Sequence, residues 1–340
     1  MQSLVKSSHK RIYLTGIQSS VWEHPADRTA LKALKSIPAL DTIIKAMFSP
    51  TFEKSIRLAT LASAVRVSPK QFGKLHELHL EACKVLDMPK VPELYVSQSP
   101  VVNAYAVGWD NPFIVLNSSI VNSFNTEDEM IGLLGHEMGH IKSGHVLYKT
   151  LLHVLLMLSQ YALQVPLTGL ALEALILALR EWDRKSELSA DRAEALANQN
   201  PDAVIRSLMK LTGGNLIEDM DLGEFIKQAE EYNQSNSMLD NMHKLMNTLY
   251  LTHPFPVIRV VELINWVRSG EYDAILNGSY RNSQKKTYFD DMKETAQSYQ
   301  KDFEHTMKPM ENVMEQVKDS AEEIARKAKE AFDKLNKNKR

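Results

Sequence analysis

Gly135-His136-Glu137-Met138-Gly139-His140 is an H-E-x-x-H pattern inside a run that reads as a helix. Residues four apart share a helical face, so His136 and His140 can direct both imidazoles at one ion. Glu137, next to them, is placed to serve as a base toward the attacking water. Two histidines and a glutamate in this spacing form a zinc-peptidase pattern. The plain alternative is a helix that carries the three residues without a metal, and the surrounding sequence decides between the two.

Immediately upstream, Asn125-Thr126-Glu127-Asp128-Glu129 opens the helix. Thr126 followed three residues later by Glu129 is a capping-box pair. Gly144 suits the helix end. Further upstream lies a β region: Glu93-Leu94-Tyr95-Val96, Ala104-Tyr105-Ala106-Val107 and Pro112-Phe113-Ile114-Val115-Leu116. Gly108-Trp109-Asp110-Asn111 reads as the hairpin turn between the last two. Ala64-Val65-Arg66-Val67 reads as a further short strand, and 29–48, 52–62, 71–86 and 119–124 as helices. Beyond the motif the chain is predominantly helical.

A catalytic zinc takes three protein ligands and keeps one position open. His145 falls five residues after His140 and Gly144 four, which misses the glycine-at-three, histidine-at-six spacing of one zinc class. It reads as a helix-end residue or a group behind the ligands. The stronger candidate is Glu187 in Ser186-Glu187-Leu188-Ser189-Ala190-Asp191-Arg192. Glu187 and Asp191 share a helical face; Glu187 would bind zinc, and Asp191 would accept the ring N–H of a ligand histidine. Asp183, Arg184, Lys185 and Arg192 lie close by, so spacing alone weighs this reading evenly against a solvated charged face.

With both segments together, the chain resembles the HtpX-like and CAAX prenyl protease family, metallopeptidase family 48. Asn103-Ala104-Tyr105-Ala106-Val107-Gly108 is similar to the family's Asn-Ala edge-strand segment. Thr252-His253-Pro254, with Arg259 six residues after His253, is similar to its His-Pro…Arg segment. The resemblance implies an α+β, mostly helical, zincin-type catalytic domain of the gluzincin kind, with a small antiparallel β region beside the motif helix. It implies one zinc per chain at His136, His140 and Glu187, and roles for His253 and Arg259 near the metal or the reacting carbonyl. In some members the downstream histidine occupies the open zinc position and holds the enzyme latent.

On this reading Glu137 is the catalytic base, and His253 and Arg259 stabilise the tetrahedral oxyanion. An extended peptide adds as a strand at Asn103, Ala104 and Tyr105. The expected activity is a zinc metalloendopeptidase acting on extended or misfolded polypeptide in protein quality control. Two other readings stay open: a catalytically quiet, chaperone-like binding module, and a membrane-associated protease for membrane or lipidated clients.

Family members of this kind carry several transmembrane helices, and this chain departs from them. Its one strongly apolar region, 151–179, contains His153, Gln160, Gln164, Pro166, Gly169 and Glu173. Pro166 splits it into legs of roughly 14 to 16 residues, short of the ~20 that cross a bilayer. The expectation is a helical hairpin over 147–180, packed on protein or touching a membrane, that brings Glu187 back to the motif.

The chain has 340 residues, 44% hydrophobic and 24% charged, enough for one large or two modest domains. A net charge of −2 gives no basis for nucleic-acid binding. The single Cys83 excludes an intrachain disulfide and a cysteine zinc site, and suits a buried thiol on a helix. Residues 1–20 lack an apolar run of signal-peptide length, so the protein reads as cytoplasmic, with membrane association open, and not secreted. The metallopeptidase domain is expected over 1–283, with its site core in 90–260. From Phe289 to Leu335 apolar residues recur in alternating steps of three and four, apart from a gap around Thr306 and Met307, a heptad-like stripe about six repeats long. Residues 284–340 therefore read as a helical arm: an adaptable contact helix, a self-associating coil that makes a homo-oligomer, or a membrane-surface helix.

Overall fold

The computed structural model describes residues 4–37, 40, 44, 50–162, 166–214, 216–235 and 255–281. The expected arm over 284–340, and His253, lie outside the described residues. Eleven α-helices and four strands are described: α1 Pro25–Lys35, α2 Pro50–Ser63, β1 Ala64–Arg66, α3 Gly73–Val85, β2 Leu94–Ser97, β3 Ala104–Val107, β4 Phe113–Asn117, α4 Ser118–Ser123, α5 Glu127–Lys142, α6 Val146–Ala162, α7 Pro166–Asn198, α8 Pro201–Gly213, α9 Leu222–Gln234, α10 Pro256–Arg268 and α11 Glu271–Leu276.

The sheet order is β1-β2-β4-β3. The hairpin turn forms where the sequence places it, with Gly108 at φ +109°, and β3 pairs antiparallel with β4. The expectation of an antiparallel region needs one correction, because β2 and β4 run parallel and the sheet is mixed. After β2 the chain goes out to the edge to make β3, and β4 then returns into the gap between β2 and β3. Every residue of β4 is buried. Its Phe-Ile-Val-Leu run lacks a polar face, which suits a central strand covered on both sides.

One face of the sheet, with Leu94, Val96, Ile114 and Leu116, joins the main core beneath α3 and α5. The other face presents Tyr95, Phe113 and Val115 to Ile56 of α2. A separate core gathers around Trp182, where α1 contributes Ala30 and Leu34, α6 contributes Leu151 and Leu155, and α7 contributes Leu175 and Leu179.

The helical hairpin is α6 and α7. Its return leg is not a short helix ending near residue 180 but the start of a single 33-residue helix that carries the downstream acidic segment. Through their inner halves both legs pack on each other and on α1. No described helix is long and apolar enough to cross a membrane. Cys83 is buried on α3 with its Sγ 3.8 Å from Met138 Sδ, and burial pushes the thiol up to about 12.

Candidate active site

The motif helix α5 starts as the sequence predicts. Thr126 accepts from the Glu129 backbone N–H, and the Glu129 carboxylate accepts from the Thr126 N–H at 3.2 Å, a complete capping box. Lys210 closes a buried ion pair on Glu129 at 2.7 Å. At the other end Gly144 adopts φ +70°, its N–H donates to Ile141, and the His145 N–H donates to the His140 carbonyl. This is a Schellman termination, and it folds His145 back over the last turn of the helix.

Helix α7 lies unusually close to α5. A Cβ on Gly135 would come within 2.2 Å of Ala197 Cβ, and one on Gly139 within 2.6 Å of Ala193 Cβ. Three glycines of α5 (Gly132, Gly135, Gly139) thus face the Ala193–Ala197 side of α7. The close approach carries the acidic turn of α7 to the histidines. The paired small-residue spacing was present in the sequence as a signal for it.

His136 Nε2 lies 3.4 Å from Glu187 Oε2, and His140 Nε2 lies 3.2 Å from Glu187 Oε1. All three side chains are buried, and one donor atom from each falls within 4.8 Å of the others. Two imidazole nitrogens and a carboxylate oxygen make a donor set of the kind that holds a catalytic zinc. A second grouping, His136 with Asp191 and Glu194, uses the opposite ring nitrogen of His136. It fits an ion less well, because Arg259 already clamps Asp191 in two-pronged fashion at 2.8 and 2.5 Å.

Burial disfavours a charge on His136, but the carboxylates of Asp191, Glu187 and Glu194 outweigh it and hold its pKa well above the ordinary value. For His140, burial, followed by the charge of Lys149, drives the pKa well below it. A neutral imidazole is the form that coordinates a metal. Burial, reinforced by Glu187, raises Glu137 to about 7 despite the opposing charge of His136 and Lys149 and a backbone N–H from Ala106. Burial also raises the carboxyl of Asp191, but Arg259 overrides it and keeps the group ionised.

The Ala106 contact joins Glu137 to the edge strand β3. The Asn117 N–H donates to the Asn103 carbonyl, so Asn103 and Tyr105 face β4 along the backbone. By the alternation of an antiparallel pair, Ala104 and Ala106 turn their backbone groups outward. Asn103 and Ala104 line a cleft with His136, Glu137, Glu187, Glu194 and Arg259, and Leu133 and Leu208 add apolar lining to it. Tyr105 is exposed at the strand edge. The structure thus brings together the sequence-predicted His136, Glu137, His140, Glu187, Asp191, Asn103, Ala104 and Arg259, while His253 lies outside the described residues.

Several groups at the site carried no such reading in the sequence. Glu194, one turn beyond Asp191, sits 3.5 Å from His136 Nδ1. Its i+3 spacing from Asp191 was the available signal. Lys149 of α6 bridges Glu187 at 2.7 Å and Asp183 at 2.5 Å. Asp27 of α1 lies 2.9 Å from His145 Nε2. Neither Lys149 nor Asp27 has a spacing that points to the motif, since each meets it only by tertiary packing.

The profile of peptidase family M48 matches residues 69–267 of this chain. The chain is similar to a plastoglobule-localized metallopeptidase 48, chloroplastic, from Arabidopsis thaliana, with 35% identity over 268 residues, 77% of this chain and 76% of the relative. It is similar to protease HtpX homolog 1 of Streptomyces coelicolor, with 28% identity over 206 residues, 53% of this chain and 67% of the relative. No solved structure matches it.

Proposed function

This chain belongs to peptidase family M48 and is a metallopeptidase, and from that premise we propose a zinc-dependent endopeptidase that cleaves extended polypeptide at the α5–α7 site. The observation that carries the reading is the convergence of His136 Nε2 and His140 Nε2 on the Glu187 carboxylate, with buried Glu137 alongside and the free edge of β3 above. His136, His140 and Glu187 hold the ion. Bound there, zinc supplies the acidification of water and the polarisation of a scissile carbonyl.

The chain's own groups do the rest. Glu137, poised near neutrality and tied to the Ala106 N–H, accepts the proton of the attacking water and passes it to the leaving amine. Ala104 turns its backbone groups to the strand edge on which a substrate backbone lies, with the exposed Tyr105 side chain beside it, so recognition depends on main-chain hydrogen bonds and selects unfolded chain. Arg259 lines the same cleft, fixed by Asp191, with its Nη1 3.5 Å from Glu187 Oε2. It steadies Glu187 and adds positive charge beside the reacting carbonyl. His253 is proposed as its partner in oxyanion stabilisation or as a latch on the open metal position.

The biological role proposed is protein quality control, in a reducing compartment that suits a lone buried thiol. The segment 284–340 is proposed as a contact arm for clients or for a second copy. Metal analysis paired with casein degradation tests the central reading: wild type carries one zinc and degrades casein, and Glu137→Gln carries the zinc without degrading it. Wild-type protein that binds no zinc, or a Glu137→Gln variant that cleaves like wild type, overturns it.

A further inference from the structure

We propose that Asp27, on the N-terminal helix α1, fixes the tautomer of the metal ligand His140 through His145 and so acts as a positioning residue for the metal site. The inference rests on the assignment of His140 as a ligand. Asp27 precedes the family-matched segment 69–267, so the support comes from this chain's own packing.

The relay consists of buried contacts. His140 Nδ1 lies 3.1 Å from His145 Nδ1, and His145 Nε2 lies 2.9 Å from Asp27 Oδ2. His140, His145 and Asp27 are each 1% exposed. The Schellman turn at Gly144 sets the first contact, and α1, packed along α7, sets the second. Asp27 also accepts from Ser189 Oγ at 2.6 Å on Oδ2 and from Trp182 Nε1 at 3.1 Å on Oδ1.

Hydrogen-bond chemistry gives the relay a direction. A carboxylate only accepts, so His145 must present its N–H at Nε2. The relay takes His145 as the Nε2–H tautomer, whose bare Nδ1 accepts from His140 Nδ1–H and leaves the His140 Nε2 lone pair facing Glu187 and the ion. A histidine ligand is ordinarily oriented by a carboxylate or carbonyl on its free ring nitrogen; here a second histidine extends that contact to an acid on another helix.

The substitution Asp27→Asn reverses the direction without changing the shape. The Trp182 N–H is a donor only, whereas the Ser189 hydroxyl can also accept and His145 can change tautomer, so the carboxamide satisfies all three partners with its oxygen toward Trp182 and its NH2 toward His145 and Ser189. His145 Nε2 then accepts, its Nδ1 donates to His140, and His140 is pushed toward the Nε2–H form that cannot bind metal. Replacing Trp182 by Phe as well removes the donor that fixes the amide, and the carbonyl can swing back to His145.

The experiment uses the full-length chain, stripped with chelator and reloaded with zinc, and reads zinc affinity by chelator competition and histidine tautomers by 15N NMR. In wild type without zinc, His140 should be protonated at Nδ1 and His145 at Nε2. Asp27→Asn should weaken zinc roughly 10- to 100-fold and move the His145 proton to Nδ1. Asp27→Asn combined with Trp182→Phe should recover most of that affinity, measured against Trp182→Phe alone. A wild-type His140 protonated at Nε2, an Asp27→Asn variant with wild-type affinity, or a double variant with no recovery overturns the relay. The wild-type tautomers decide the matter even if Asp27→Asn fails to fold. His140→Ala separates the two readings: zinc affinity unchanged there refutes the ligand assignment, whereas zinc lost there but kept in Asp27→Asn refutes the relay alone.

Discussion

Gly135 and Ala197 face each other so closely that a Cβ on the glycine would lie 2.2 Å from the alanine methyl. This contact sets the distance between the helix that carries both histidines and the helix that carries Glu187. Gly135→Ala must push the two helices apart, and overpacking of this kind costs about 1–3 kcal/mol. It should lower the thermal midpoint and weaken zinc binding together, and Ala197→Gly added to it should restore both. A Gly135→Ala protein with wild-type metal affinity would show that the helix spacing does not set the site.

Glu187→Ala should lose most of its zinc under conditions in which wild type retains one per chain, because the carboxylate is the group on which both Nε2 atoms converge. Metal content after gel filtration checks this. Full occupancy would remove Glu187 from the ligand set.

Arg259 and Asp191 form a buried, two-pronged pair directly behind His136. Asp191→Asn should reduce metal affinity or activity by roughly 10- to 100-fold, the range for groups that orient a ligand. Arg259→Ala removes one member of a buried ion pair and leaves Asp191 with His136 alone in place of the two-pronged clamp, and breaking such a pair costs about 3–5 kcal/mol. Peptide hydrolysis should fall in that variant with zinc retained at saturating metal. Wild-type kinetics in both variants would reduce the pair to a structural contact.

His79 gives the fold a pH dependence of its own. It is buried on α3, donates from Nε2 to the Pro92 carbonyl, and burial lowers its pKa from 6.5 to about 4. Between those values the unfolded chain binds a proton that the folded protein does not, so stability rises with pH through the window and is fully present above pH 6.5. The span corresponds to about 3 kcal/mol. Urea unfolding at pH 5 and pH 7 should show a smaller difference for His79→Gln than for wild type, and equal differences would contradict the assignment.

A chain ending near Ser283 should still bind zinc and cleave a short peptide, since every described site residue lies before that point. It should differ from the full chain in self-association, membrane recovery or handling of large clients, because a heptad-like stripe needs a partner to cover it. Loss of folding or of zinc on truncation would make the segment part of the catalytic unit.

The motif helix was legible in the sequence because its determinants are local. The capping box, the Gly144 stop and the i, i+4 histidines depend only on helical geometry, and the hairpin turn at Gly108 depends only on backbone conformation. Glu187 was legible as a candidate and no more, since spacing shows which residues share a face and not what that face meets.

Tertiary structure decided the rest. The parallel pairing of β2 with β4 followed from the insertion of β4 between its neighbours, a choice no single strand encodes. Lys149, Glu194 and Asp27 reached the site because helices α6, α7 and α1 pack around it, and His145, laid against His140 by the local turn at Gly144, gained its second partner because Asp27 stands behind it. Local sequence fixes short-range geometry through a few dihedral angles. Contacts between residues more than a hundred positions apart exist only once the core has closed and the entropy of ordering the intervening chain has been offset.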